Sequence, residues 1–162
     1  MSIDVKILSA FISVIVSVLT FLLIHLYIEP RKVKRNFKME QYKNLYAPIY
    51  TMVLARLNIA KEVGWIGEGK FTLGHRDSQD HLDRKAMEKL ILNNSGYASI
   101  ELINIFKDYT TSYKVPREVT FDLVTTIVKE YNQLKKELNM EYNEDELKTG
   151  IPEIIKEFRE IS

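Results

Sequence analysis

"ILSAFISVIVSVLTFLLIHLYIEPRKVKR", residues 7 to 35, runs apolar to Ile28, meets Glu29 and Pro30, and turns abruptly basic. Residues 7 to 28 contain no Asp, Glu, Lys or Arg, and at a helical rise of about 1.5 Å each they span about 33 Å. That length matches a bilayer hydrocarbon core of roughly 30 Å. Fifteen of the positions are Leu, Ile, Val or Phe. Each is worth roughly −0.3 to −0.6 kcal/mol near the bilayer centre, so the run inserts favourably despite His25 and four Ser and Thr hydroxyls. The pattern predicts a retained transmembrane helix over residues 7–29, after a short tail at 1–6. A cleavable signal fits less well: Asp4 and Lys6 cancel, the apolar run exceeds a usual h-region, and no small-x-small site precedes Pro30.

The flanks predict orientation. Lys6 is the sole Lys or Arg before the run, whereas Arg31, Lys32, Lys34, Arg35 and Lys38 follow it within the juxtamembrane segment 30–38. Basic flanks stay inside, so the N-terminus is expected outside and residues 39–162 in the cytoplasm, at the cell membrane. On a helix, Arg31, Lys34, Arg35 and Lys38 share one face opposite Val33 and Phe37. Such a face suits anionic membrane lipid, at about 1 kcal/mol per basic residue, although the same residues also serve to set topology. His25 is expected at the headgroups rather than in a proton relay, since no acid accompanies it within the span.

Within the span, Ser9, Ser13 and Ser17 stand four apart and Thr20 three further on, along one stripe. Small residues at this spacing let two helix backbones approach, which predicts a homo-oligomer. Each hydroxyl can alternatively bond its own helix four residues back.

Residues 1 to 38 carry six basic and two acidic side chains, against 17 basic and 20 acidic in residues 39 to 162. A mildly acidic domain without a basic face argues against nucleic acid as a partner, because phosphate neutralisation supplies most non-specific affinity. The absence of cysteine removes disulfides, thiolate nucleophiles and Cys-based zinc sites.

Residues 39–162 read as one all-α domain. Tyr42, Leu45, Tyr46, Ile49, Val53, Leu57 and Ala60 recur at spacings of three and four, predicting a helix from about 36 to 63 that Pro48 bends or divides and Gly64 stops. Tyr42, Tyr46 and Tyr50 form a half-buried seam on it. A second helix is predicted from Ser78 to "NNSG" at 93–96, with Leu82, Ala86, Leu90 and either Met87 or Ile91 inward. A third runs from Ser99 to Pro116, and a fourth carries the stripe from Phe121 to Leu138. A short last helix starts at Pro152. "KFTL" at 70–73 hints at a strand. The expected fold class is all-α: a single N-terminal transmembrane helix followed by a small antiparallel helical bundle.

Four of the six glycines fall between 64 and 74, making a Gly-rich loop at 64–78. Gly64 to Phe71 reads G-x-x-x-x-G-K-F, a phosphate-loop pattern with Phe71 where a Ser or Thr should hold magnesium. With Thr72 one position late and a helix where a strand is required before Gly64, nucleotide hydrolysis is not expected. The glycines better serve a turn that folds Trp65 and Phe71 onto the bundle. His75, Asp77, Asp80, His81 and Asp83 carry metal-ligand chemistry, but His81 and Asp83 point to different faces. Helix capping by Asp77 or Ser78 accounts for the acids better than a metal. No catalytic, cofactor-binding or metal residue is expected. Trp65, Lys70, Phe71, His75 and His81 are the candidates for a partner or ligand loop.

No motif fixes a reaction. The pattern favours a non-enzymatic, membrane-anchored interaction module, an adaptor or scaffold with a cytoplasmic protein partner. The alternative is a membrane effector of toxin or phage-defence type, whose bundle senses a ligand and drives clustering of the membrane helices.

Overall fold

The computed structural model describes residues 5–64, 66, 72–74, 83–112 and 115–159. All regular secondary structure among them is helical. The chain divides into two compact units, residues 1–37 and 38–162.

The first unit holds α1 (Val5–Leu23), a π-helical turn (Ile24–Ile28) and most of α2 (Glu29–Gln41). Residues 9 to 37 are all exposed. One helix near the N-terminus is long and apolar enough to cross a membrane.

Pro30 does not end the helix. A proline ring crowds the carbonyl four residues back and offers no N–H. Here the preceding turn widens, and the Glu29 N–H donates to the Ile24 carbonyl five residues back. Pro48 is accommodated the same way. The turn Tyr42–Tyr46 is π-helical, the Ala47 N–H donates to the Tyr42 carbonyl, and α3 (Ala47–Glu62) begins with Pro48 in its first turn. Each proline thus stands two residues after a π turn, and helical backbone continues through both.

The second unit continues with α4 (Arg84–Asn93), α5 (Ile100–Thr111), α6 (Arg117–Glu137), α7 (Glu144–Thr149) and α8 (Glu153–Arg159). Helix α6 is central, packing against α3, α5, α7 and the Tyr42–Tyr46 turn, while α3 also packs against α4 and α8. The core takes Leu45, Ile49, Val53 and Leu57 from the first stripe and Leu123, Val124, Ile127 and Val128 from α6.

The outcome differs from the sequence pattern in particular places. The second helix starts at Arg84 among the described residues. Asp83 caps it by accepting from the Ala86 N–H, while Asp77 and Ser78 lie outside the described residues. Its buried pair is Met87 and Ile91, with Ala86 and Leu90 half-buried. On α5 the apolar spacing of Leu102, Ile103 and Phe106 suggests three inward residues, of which Leu102 and Phe106 are buried and Ile103 is exposed. Helix α7 was not anticipated. Thr72 and Leu73 form no strand, and Lys70 and Phe71 lie outside the described residues.

Candidate functional site

Three places gather polar or charged groups, beginning at the end of the apolar run. His25 Nδ1 lies 2.6 Å from Glu29 Oε2, and the His25 ring meets Phe21 edge-on with centroids 4.3 Å apart. The Arg31 guanidinium sits 3.6 Å above the Tyr27 ring. Both pairs span four residues, the spacing that brings helical side chains together. An open groove of about 580 Å³ is lined by His25, Glu29, Pro30, Val33, Lys34 and Phe37. Arg31, Lys32, Lys34 and Arg35 are exposed. Lys38 is not part of that open set: its Nζ pairs with Glu137 on α6 at 2.7 Å. Ser9, Ser13, Ser17 and Thr20 are exposed, and the Ser17 hydroxyl donates to the Ser13 carbonyl at 2.8 Å.

The second place is a buried lock around Glu146, which is 3 % exposed. Its Oε2 accepts from the Tyr50 hydroxyl at 2.8 Å and from Asn132 Nδ2 at 3.0 Å, and its Oε1 accepts from the Glu153 N–H at 3.0 Å. Asn132 in turn accepts from the Asn143 N–H at 2.9 Å. One carboxylate therefore ties α3, α6, α7 and the start of α8. Above it Tyr131 stacks on Tyr50 at 3.9 Å and on Tyr42 at 5.7 Å. Burial and the adjoining Glu146 carboxylate push the Tyr50 hydroxyl well above the usual tyrosine range. Burial raises Tyr131 to about 12. The tyrosines are a packed seam in which the hydroxyls of Tyr50 and Tyr131 stay protonated.

The third place is Glu130 on α6, faced by the hydroxyls of Tyr46 and Ser99 as its hydrogen-bonding neighbours. The Ser99 N–H donates to the Tyr46 hydroxyl at 3.1 Å, and the Leu102 N–H donates to Ser99 Oγ at 2.9 Å. Burial raises the Glu130 carboxyl above its ordinary range.

The candidate loop residues Trp65, Lys70, Phe71, His75 and His81 lie outside the described residues, as do Asp77 and Asp80. Two of the loop's glycines have structural causes. Gly64 takes a left-handed φ of 68° just past α3, where glycine is favoured. At Gly74 a Cβ would stand 2.8 Å from the Ala60 nitrogen, so only glycine lets this strand of chain lie on α3. Arg56, 3 % exposed, clasps the same chain: Nε donates to the Gly74 carbonyl at 2.9 Å and Nη2 to the Leu73 carbonyl at 3.4 Å. Sequence reading passed over Arg56, Glu130 and Glu146 because each looks like an ordinary charged surface position. For Arg56 and Glu130 the available signal was their place among apolar neighbours at helical spacing, and Glu146 in "EDELKT" carried no such signal. Among the described residues no group of three His, Asp or Glu side chains converges to hold a metal.

Comparison with known protein families, curated protein sequences and solved structures found no match to this chain.

Proposed function

We propose that the chain is a non-enzymatic, membrane-anchored interaction module, in which one transmembrane helix holds a small antiparallel helical bundle at the cytoplasmic face of the cell membrane. There it engages a cytoplasmic protein partner and associates with further copies of itself through the Ser9, Ser13, Ser17 and Thr20 stripe. The observation that carries this reading is the exposure of the apolar helix: from Phe11 to Ile28 the large side chains stand 40 to 73 % open. Water does not tolerate so long a bare apolar surface, and lipid does. The interfacial pairs at its end support the depth, since Tyr27 with Arg31 and His25 with Glu29 combine apolar bodies with polar tips as headgroup-level residues do. Arg31, Lys32, Lys34 and Arg35 supply the excess of positive charge that sets the inner side.

Two fusions after Ser162 test the proposal in intact cells, one to a reporter active only in the cytoplasm and one to a reporter active only outside it. The cytoplasmic reporter is expected to be active. Activity from the external reporter alone would remove the orientation and every cytoplasmic partner with it.

A further inference from the structure

Helix α6 borders a cavity of about 160 Å³ lined by Gln41, Tyr46, Glu130, Gln133, Leu134 and Glu137. At about 30 Å³ per water molecule it has room for about five non-hydrogen atoms of a polar guest. Its lining can be sorted by what each group has left to offer. Gln41 Nε2 donates to the Tyr97 carbonyl at 2.9 Å, and Gln133 Nε2 donates to Glu137 Oε1 at 3.0 Å. Both amides are thereby oriented, with a nitrogen committed and the carbonyl oxygen as the acceptor end. Glu137 is neutralised by Lys38 at 2.7 Å. Glu130 forms no ion pair among the described residues, and the charge that bears on it, Glu101, is of like sign. Its Oε2 is buried and has no hydrogen-bond partner.

The cavity therefore holds acceptors and one uncompensated carboxyl. An anion is excluded by sign. Water would satisfy hydrogen bonds but leave the charge. A divalent metal wants several free carboxylates, and one is present. We infer that this cavity is a binding site for a small organic cation with several N–H donors, an alkylguanidinium or a short primary alkylammonium. Glu130 neutralises its charge, and the carbonyl oxygens of Gln41 and Gln133 accept its remaining N–H groups. Glu130 lines the cavity, so its carboxyl acts on the guest's charge at close range. Burial, with the like charge of Glu101 beside it, raises the Glu130 carboxyl, and a cation in the cavity would act against that shift.

The test uses the full chain in detergent micelles, with thermal unfolding followed by circular dichroism at constant ionic strength. Methylguanidinium and n-propylammonium chlorides are the probes, and tetramethylammonium chloride, which has no N–H, is the control. The expected result is a saturable rise in the unfolding midpoint with both probes and none with the control. Glu130→Gln, which keeps the shape and the contacts to Tyr46 and Ser99, should weaken the response about tenfold or more, the scale of one charge-assisted hydrogen bond. Gln133→Arg, at an exposed position, supplies its own guanidinium. It should raise the midpoint without any probe and abolish the response to methylguanidinium, which decides the matter even where Glu130→Gln fails to fold. An equal effect of tetramethylammonium, an undiminished response in both variants, or no saturable response to either probe overturns the site. A response to Nα-acetyl-arginine amide but not to methylguanidinium assigns the cation to a partner's side chain and overturns the free-ligand reading.

Discussion

Glu130 and Glu146 both lie against the interior of the second unit, and the number of donors that reach them separates their roles. Glu146 has three, from a tyrosine hydroxyl, an asparagine amide and a backbone N–H, so its charge is met wherever it turns. Glu146→Ala leaves those donors buried and unpaired and should cost about 3 kcal/mol or more, whereas Tyr50→Phe removes one bond and should cost about 1 to 2 kcal/mol. Urea titration of the two variants checks the ranking, and equal costs would show that the lock is only local. Glu130 has a raised carboxyl, with Tyr46, Ser99 and Glu101 as its neighbours. A group with a raised folded value holds its proton to higher pH than the unfolded chain does. Its contribution is fully present below the ordinary value near 4.5 and is lost as pH rises through the raised one. Glu130→Gln deletes that loss. The midpoint of the variant relative to the wild type should therefore climb as pH rises from about 4.5 and then level off, and a difference that stays flat with pH would mean that Glu130 is ordinary and solvated.

At the scale of elements, apolar spacing was enough to find α3, α5 and α6, because their faces repeat every three or four residues against one core. Helix α7 escaped because "EDELKT" has no apolar face to show. It is held by Asn143, whose Oδ1 accepts from the Asp145 and Glu146 N–H groups, and by the burial of Glu146 itself. The two π turns were illegible for a different reason. A proline in a helical pattern signals that one hydrogen bond must go, but not whether the chain kinks, breaks or widens. The Ile24–Ile28 turn widens with no buried residue, and Tyr42–Tyr46 widens while burying Leu45 and Tyr46. The candidate loop offered chemistry-bearing residues but no period, so only its anchors at Gly64, Leu73, Gly74 and Asp83 can be explained physically. Asp83 distinguishes capping from ligation. Asp83→Asn keeps an oxygen for the Ala86 N–H and should leave stability nearly unchanged, while Asp83→Ala should cost about 1 kcal/mol. Comparable losses in both would show that the carboxylate charge, rather than the cap, is what the site needs.

On the scale of the whole molecule, the core of the second unit draws on α3, α4, α5, α6, α8 and the Tyr42–Tyr46 turn, while the exposed apolar helix belongs to the first. The stability of residues 38–162 and the association of the chain should therefore be separable. Residues 38–162 made alone should be soluble, mostly helical and cooperative in unfolding, because the apolar faces of α3, α4, α5, α6 and α8 find their partners within that unit. They should also be monomeric, since the proposed self-association lies elsewhere. In the full chain the Ser17 hydroxyl is already bonded to its own helix at Ser13. What the stripe offers a second copy is thus mainly a shallow groove for close packing, with membrane hydrogen bonds averaging only about 0.6 kcal/mol. Filling the groove is the direct challenge. A full chain carrying both Ser13→Leu and Ser17→Leu stays apolar enough to insert, and its cross-linking in membranes should fall from oligomer toward monomer. Oligomers that persist in this variant, or that form from residues 38–162 alone, would move the contact off the stripe. A wild-type chain that never cross-links would leave residues 7 to 28 as an anchor and nothing more.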